Sequence, residues 1–387
     1  FEYYPFPYSY YLTQYDFIFG TGHLNHGFRT PSSIFYLNSL FFLPKINYYF
    51  FHISPVYIMG FVNLILLKKI FYFEKKYNFD FIKVYSLLSF LFINIFFYRI
   101  AEHGTDRTAQ ILVFVLILEL FLIINYPKLQ KEVIKNFFIL LSIIISLKAF
   151  YIIYILFLVP VFFLFLKKKP IDFFKIVLKN SCFSILAITC LLVFFSNFVN
   201  TGCIIYPISI TCLTSFDWSL PLDEVNRMRQ WYELWAKAGA GPNFRVENIN
   251  EYLSYINWIP NWINKYFFNK VSDFLLGIVF VSVVFYITFY SKVTISNKKN
   301  YNITGIYIVV IILWLEWLFN HPALRYGGYH LFSLMIFIPL AYYLTKFENK
   351  NNILRKKIYF FVCLTLLIFV SRNTSRLFNE INVYDYK

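Results

Sequence analysis

The sequence predicts an all-α polytopic membrane protein with about ten transmembrane helices, and three observations carry the prediction. Hydrophobic residues make up 59% of the 387 and charged residues only 14%, with a mean hydropathy of +0.57. A soluble domain carries about 25% charge. The apolar residues come in long runs, and in lipid such a run satisfies its own backbone polar groups as a helix. Between the runs, lysine-rich segments alternate with segments of mixed charge rich in arginine.

The chain opens on FEYYPFPYSYYLTQYDF, polar and aromatic, with no signal-peptide pattern. The expectation is a fragment, residues 1–387, forming one transmembrane domain whose first helix lies upstream and whose first outer loop is 1–54. Residues 33–44 are apolar but interrupted and read as an interfacial segment. Spans follow near 55–67, 84–98, 109–126, 134–147, 149–166, 176–197, 274–291, 304–319, 330–345 and 358–371. A crossing needs about 20 apolar residues, so several of these are short. Residues 134–166 admit one long span or a hairpin turning at Lys148. A single span would place Lys167, Lys168 and Lys169 outside and invert every later loop, so the hairpin is preferred.

The charge pattern sets the orientation. One set of loops, KKIFYFEKKYNFDFIK, PKLQKEVIK, KKKPIDFFK through Lys179, SKVTISNKK and KFENKNNILRKK, holds 21 basic and 5 acidic residues. That set carries the whole net charge of +16 and is expected to be cytoplasmic, facing the anionic leaflet. The bilayer is thus the first partner, and nothing points to nucleic acid. Nine of the ten arginines fall on the opposite face, with Arg355 the exception. Arg forks carboxylates and phosphates, whereas Lys acts as a point charge. The outer arginines therefore read either as anion-recognition groups or as internal salt bridges of folded loops.

The unusual polar motifs gather in the outer segments. DFIFGTGHLNHGFRTPSS carries Asp16, His23, His26 and Arg29; RIAEHGTDRTAQ carries Arg99, Glu102, Asp106 and Arg107; NHPALRYGGYH carries His321, Arg325 and His330. The three are expected to line one outer polar site. The alternative is local pairing, Arg99 with Glu102 and Asp106 with Arg107, worth about 0–1 kcal/mol if exposed. Lys148 interrupts IIISLKAFYIIYILF and reads as a functional or paired charge, or as one that snorkels to the surface.

The long outer loop, 198–273, has Cys203 and Cys212 with eight residues between them on the expected oxidising side, and a disulfide is predicted. Cys182, Cys190 and Cys363 fall in spans and read as packing residues. Asp223 to Ala238 reads as an amphipathic helix with Trp231 and Trp235 on one face. With Trp218, Trp258 and Trp262 they suggest an interfacial belt or a sugar-stacking cleft. His23-x-x-His26 lacks further metal ligands at useful spacing, and Gly20-x-Gly22 opens no strand–helix unit. No metal is predicted and no cofactor is required; a divalent ion is possible in principle but has no support in the residues.

EYYPFPYSYYL…GTGHLNHGFRTPSSIFYLNS, the EHGTD turn, the SLKAFY hairpin and the GCIIYP…TC loop together resemble the GT-C class of membrane glycosyltransferases. The likeness is to the protein O-mannosyltransferase and aminoarabinose-transferase type, and to uncharacterised bacterial multi-pass glycosyltransferase-like proteins. It implies a GT-C-like fold with an amphipathic helix in the first outer loop, Tyr3 to Phe17, returning at Arg29-Thr30-Pro31. It implies an inverting transferase of the bacterial inner membrane, moving a sugar from a polyprenyl-phosphate donor to a glycan or lipid acceptor of the cell envelope at the outer, periplasmic face. Such a transfer needs a carboxylate base and cations for the departing phosphate. By position Glu2 takes the base role with Asp16 in reserve, and Asp106 and Glu102 are further carboxylates. Arg29, Lys148 and Arg325 hold phosphate with His330 as helper, and His23, His26, Arg99 and Arg107 complete the substrate-facing set. Phe1 stands where the class has a second acid, and FRTPSSIFYLNS replaces its return motif. The rivals are an O-antigen polymerase or ligase, although 198–273 contains no His, and a transporter, although only Glu119 and Glu316 lie inside spans.

Overall fold

The computed structural model of the chain describes residues 5–72, 80–100, 104–168, 181–241, 245–293, 301–347, 351–381 and 383. Among these the protein is helical, with two isolated bridges and no strand. Glu2 and Glu102 lie outside the described residues.

Two short helices, α1 (Pro5–Gln14) and α2 (Ser33–Ser39), precede the bundle. The bundle helices are α3 (Ile53–Tyr72), α4 (Phe81–Phe96), α5 (Gly104–Asn125) and α6 (Gln130–Leu147). A 3₁₀ stretch (Ala149–Phe157) then runs into α7 (Leu158–Lys168), followed by α8 (Ser181–Thr201). In the long loop lie α9 (Leu222–Lys237) and α10 (Ile249–Leu253). The last four are α11 (Ile259–Phe289), α12 (Thr304–Asn320), α13 (Gly328–Leu344) and α14 (Asn351–Ile381).

Helices thus stand at all ten stretches expected to span. Four are long and apolar enough to cross a membrane: α3, α5, residues 183–201 of α8, and α11. Residues 81–96, 149–164, 304–320 and 328–344 are apolar but shorter. The protein is therefore an all-α membrane protein by the length and apolarity of its helices. The bundle centres on α5, which is buried along almost its whole length against α3, α6 and α13.

The chain reverses at Lys148. Gln130 at the start of α6 bonds the Ile123 carbonyl at the end of α5, whereas Lys148 after α6 meets Asp106 at the start of α5. The next stretch returns: Tyr151 bonds the Asp106 carbonyl, while Pro160 abuts Gly305, near the Asn125–Asn302 contact at the far end of α5. Lys148 itself is extended (φ −162°, ψ 129°), which breaks the helix. This hairpin puts the described parts of the lysine-rich segments at one end of the bundle. Asp106, Lys148, His321 and Arg325 gather at the other.

The seventh stretch departs from the expected boundary. Its helix begins at Ile259, not near 274, and includes a π-helical segment, Ile263–Val271. Lys265 and Lys270 lower the apolarity there, but Trp258, Trp262 and Tyr266 are buried and anchor the early turns. The first segment is folded onto the long loop. The Gly20 amide donates to the Val199 carbonyl, and a Cβ on Gly22 would lie 2.6 Å from the Asn200 carbonyl oxygen.

Candidate functional site

The site is built on three backbone breaks. Gly104 (φ 47°) starts α5, so Asp106 falls in the first turn, where the helix dipole favours a carboxylate. Lys148 stands at the α6 break. Arg325 lies in a short 3₁₀ turn, Leu324–Tyr326, closed by Gly327 at φ 132°, a conformation that favours glycine.

That last turn is pinned from all sides. Trp262 Nε1 donates to the Pro322 carbonyl at 2.8 Å and Trp317 Nε1 to the Ala323 carbonyl at 2.9 Å. The Leu324 amide donates to the Tyr266 hydroxyl at 2.8 Å, and Gln110 Nε2 to the Arg325 carbonyl at 2.7 Å. Each bond satisfies a backbone group that would otherwise cost free energy when buried. Together they fix where the Arg325 side chain starts.

Asp106, 5% exposed, is held by two cations. Lys148 Nζ lies 2.7 Å from Oδ1, while Arg325 Nη2 and Nε lie 3.2 and 3.3 Å from Oδ2. The Lys148 ammonium sits 4.8 Å from the Tyr326 ring centre. The half-exposed Arg325 guanidinium rests on Trp235 and Tyr326 at 5.7 and 5.4 Å. Such contacts hold a cation without neutralising it. His321 packs against Phe150 and Tyr326. Burial pushes its imidazole down to about 4, with Glu233 opposing the fall and Lys148, Lys237 and Arg229 adding to it.

The other expected residues have different surroundings. Arg107 lies over the rings of Phe97 and Tyr329 rather than beside Asp106, and Arg99 is half-buried in the turn after α4. His330 is fully buried, and its Nε2 is 2.6 Å from the Tyr154 hydroxyl. Arg29 is buried, donates to the Gly22 carbonyl at 2.9 Å and ion-pairs with Glu224. Burial works against its charge, but the Tyr206 hydroxyl and Glu224 outweigh it and raise the guanidinium pKa. Arg29 therefore ties the first segment to α9.

His23 contacts the Trp218 carbonyl at 3.1 Å, while His26 packs beside Trp231 and Tyr232. The two histidines have separate partners, and no cluster able to hold a metal ion occurs among the described residues. Asp16 is exposed in the loop after α1. Cys203 and Cys212, expected to pair, are joined by a disulfide. Cys190 is half-buried and Cys363 exposed.

Sequence reasoning did not find Gln110, Tyr326, Glu224 or Glu233. The tryptophans of the long loop divide. Trp258 and Trp262 are core residues, whereas Trp231 stacks on Trp235 and the pair runs from His26 to Arg325. A cleft of about 220 Å³ lies between α2, α6 and α8, lined by Ser33, Tyr36, Ser146, Thr189, Ser196 and Asn197 among others.

Fold and site together define an all-helical membrane protein with a buried carboxylate clamped between two cations at one end of its bundle. The chain belongs to the family described as a domain of unknown function (DUF8201), which matches residues 2–332 and so includes Asp106, Lys148 and Arg325. No curated protein and no solved structure matches it.

Proposed function

We propose that the protein is a membrane glycosyltransferase of GT-C type that moves a sugar from a polyprenyl-phosphate donor to a cell-envelope acceptor. The observation that carries this reading is the clamp of Asp106 by Lys148 and Arg325. Both carboxylate oxygens face cations, so Asp106 acts as a positioning residue. It holds the ammonium and the guanidinium side by side, where they meet the phosphate that gains charge as the sugar leaves. Donors fixed in advance near a low-dielectric site stabilise such charge without reorganising.

On this reading all ten helical stretches cross the bilayer, and the lysine-rich end faces the cytoplasm of a bacterial plasma membrane. The clamp then works at the outer face. The cleft walled by Ser146, two residues before Lys148, suits the hydrocarbon end of the donor, because Leu192 and Val193 of α8 also line it. The partners are the bilayer, the donor lipid and a glycan or lipid acceptor.

The test is release of polyprenyl phosphate from polyprenyl-phosphate sugars by the protein in liposomes. Replacing Lys148 by Met or Arg325 by Gln is expected to slow release about 100-fold or more. Lys346→Met, at the lysine-rich end, should leave it unchanged. If the wild type releases nothing but extends lipid-linked oligosaccharides, a polymerase or ligase replaces this reading.

A further inference from the structure

A transfer of this kind needs a group to receive the proton of the acceptor hydroxyl. Asp106 is poorly placed for that, since cations hold both of its oxygens. The structure offers another carboxylate on α9. Arg229, Glu233 and Lys237 recur at every fourth residue and so share one face of that helix.

That face is exposed at Arg229 and covered at its C-terminal end. Lys237 is 4% exposed, lies 5.2 Å over the Trp258 ring and is bonded to Glu233 Oε1. Two residues beyond Glu233, Trp235 covers the Arg325 guanidinium and meets the Tyr326 ring edge-on at 5.7 Å. Tyr326 also carries Lys148 on its face and His321 at its side. Helix α9 therefore reaches the Arg325 end of the cation pair through Trp235.

The carboxylates on α9 have distinct surroundings. Glu224 is taken by Arg29, and Asp223 is exposed in the same first turn. Glu233 keeps about a third of its side chain open, at 32% exposure, and its bond to Lys237 uses one oxygen, Oε1. His321, which feels the Glu233 charge, has a buried Nδ1 with no hydrogen-bond partner among the described residues.

We propose that Glu233 receives the proton of the acceptor hydroxyl, with His321 orienting that hydroxyl. The proposal rests on the glycosyl-transfer reading above. The acceptor oxygen forms the new bond to the anomeric carbon. The bond from that carbon to the phosphate oxygen breaks, and its electron pair stays on the phosphate. The acceptor proton passes to the free oxygen of Glu233 and leaves to solvent from its open side. Lys148 and Arg325 stabilise the phosphate, so the proton and the leaving charge are handled by different groups.

The experiment compares wild type, Glu233→Gln, Glu233→Asp and His321→Ala in the liposome transfer assay, with binding of polyprenyl phosphate measured in parallel. Glu233→Gln keeps the size and one hydrogen bond to Lys237, and kcat is expected to fall about 100-fold or more. Polyprenyl phosphate binding should change by less than about two-fold, because the lost group acts on the other substrate. Glu233→Asp keeps the carboxylate and should retain more activity than Gln. His321→Ala should raise the acceptor KM.

Wild-type kcat in Glu233→Gln would overturn the proposal, as would an equal loss of phosphate binding and turnover, which would mark a structural role. Should Glu233→Gln not fold, Glu233→Asp decides: a rate no better than that of a charge-free Glu233→Ala overturns the proposal. A wild type that transfers nothing sinks the glycosyl-transfer reading itself, whereas a wild type and a Glu233→Gln variant that transfer alike sink only this one.

Discussion

Replacing Asp106 by Asn tests whether the clamp holds the bundle end together as well as forming its charge pattern. The carboxylate is 5% exposed and meets Lys148 at 2.7 Å and Arg325 at 3.2 Å. Removing one partner of a buried ion pair costs about 3–5 kcal/mol, mostly because the remaining charge is left buried. Here the remaining charges are unequal. Lys148 is 19% exposed, whereas Arg325 is 49% exposed and can be screened by water. The cost should therefore come mainly from Lys148 and lie near the lower end, about 3 kcal/mol. A double variant, Asp106→Asn with Lys148→Met, removes the stranded ammonium and should recover about 1–2 kcal/mol of that loss. Thermal unfolding of purified protein in one detergent reads both effects. A single variant as stable as wild type, or a double variant less stable than the single, would refute the reasoning.

Other consequences are independent of the clamp. Gly22→Ala places a Cβ 2.6 Å from a backbone oxygen, which cannot swing away, and should cost about 1–3 kcal/mol with faster proteolysis of residues 15–30. Arg29→Met should lower stability by about 3 kcal/mol while leaving donor KM near wild type, since Arg29 is occupied by Glu224 and Gly22; a large rise in donor KM with intact stability would restore it to the phosphate site. His321, pushed down to about 4 from 6.5, is neutral in the fold while the unfolded chain takes up protons below 6.5. Its stabilising contribution is full above pH 6.5 and declines as pH falls towards 4, so the wild-type melting point should drop in that window more than that of His321→Asn. Alkylation of the denatured, unreduced protein should leave Cys203 and Cys212 unmodified while Cys190 and Cys363 react.

Much of the helical pattern was legible because apolar runs bounded by lysines leave few choices. The break at Lys148 was legible from the charge pattern, because one unbroken span would have put Lys167, Lys168 and Lys169 on the wrong side. The early start of α11 was not, because INKYFFNK looks too polar, and only the burial of Trp258, Trp262 and Tyr266 explains why it is helical. The partners of Asp106 were hidden by distance along the chain, 42 residues to Lys148 and 219 to Arg325. Arg107, its neighbour, turns away to Phe97 and Tyr329 because adjacent residues on a helix do not share a face. Arg29 read as an anion binder by type, yet its anion is the carboxylate of Glu224 within the same chain. Glu233 escaped notice because a Glu–Lys pair four residues apart is usually a solvated surface feature, and nothing in the sequence signals that Trp258 covers the lysine.

The most direct measurement is the affinity of the purified protein for polyprenyl phosphate, comparing wild type with Arg325→Gln and Lys148→Gln. The account predicts that each variant binds at least about ten-fold more weakly, as loss of a charge-assisted contact of about 1.4 kcal/mol or more requires. Equal affinity in all three proteins would contradict the assignment of Lys148 and Arg325 to the phosphate, and with it the proposed transfer.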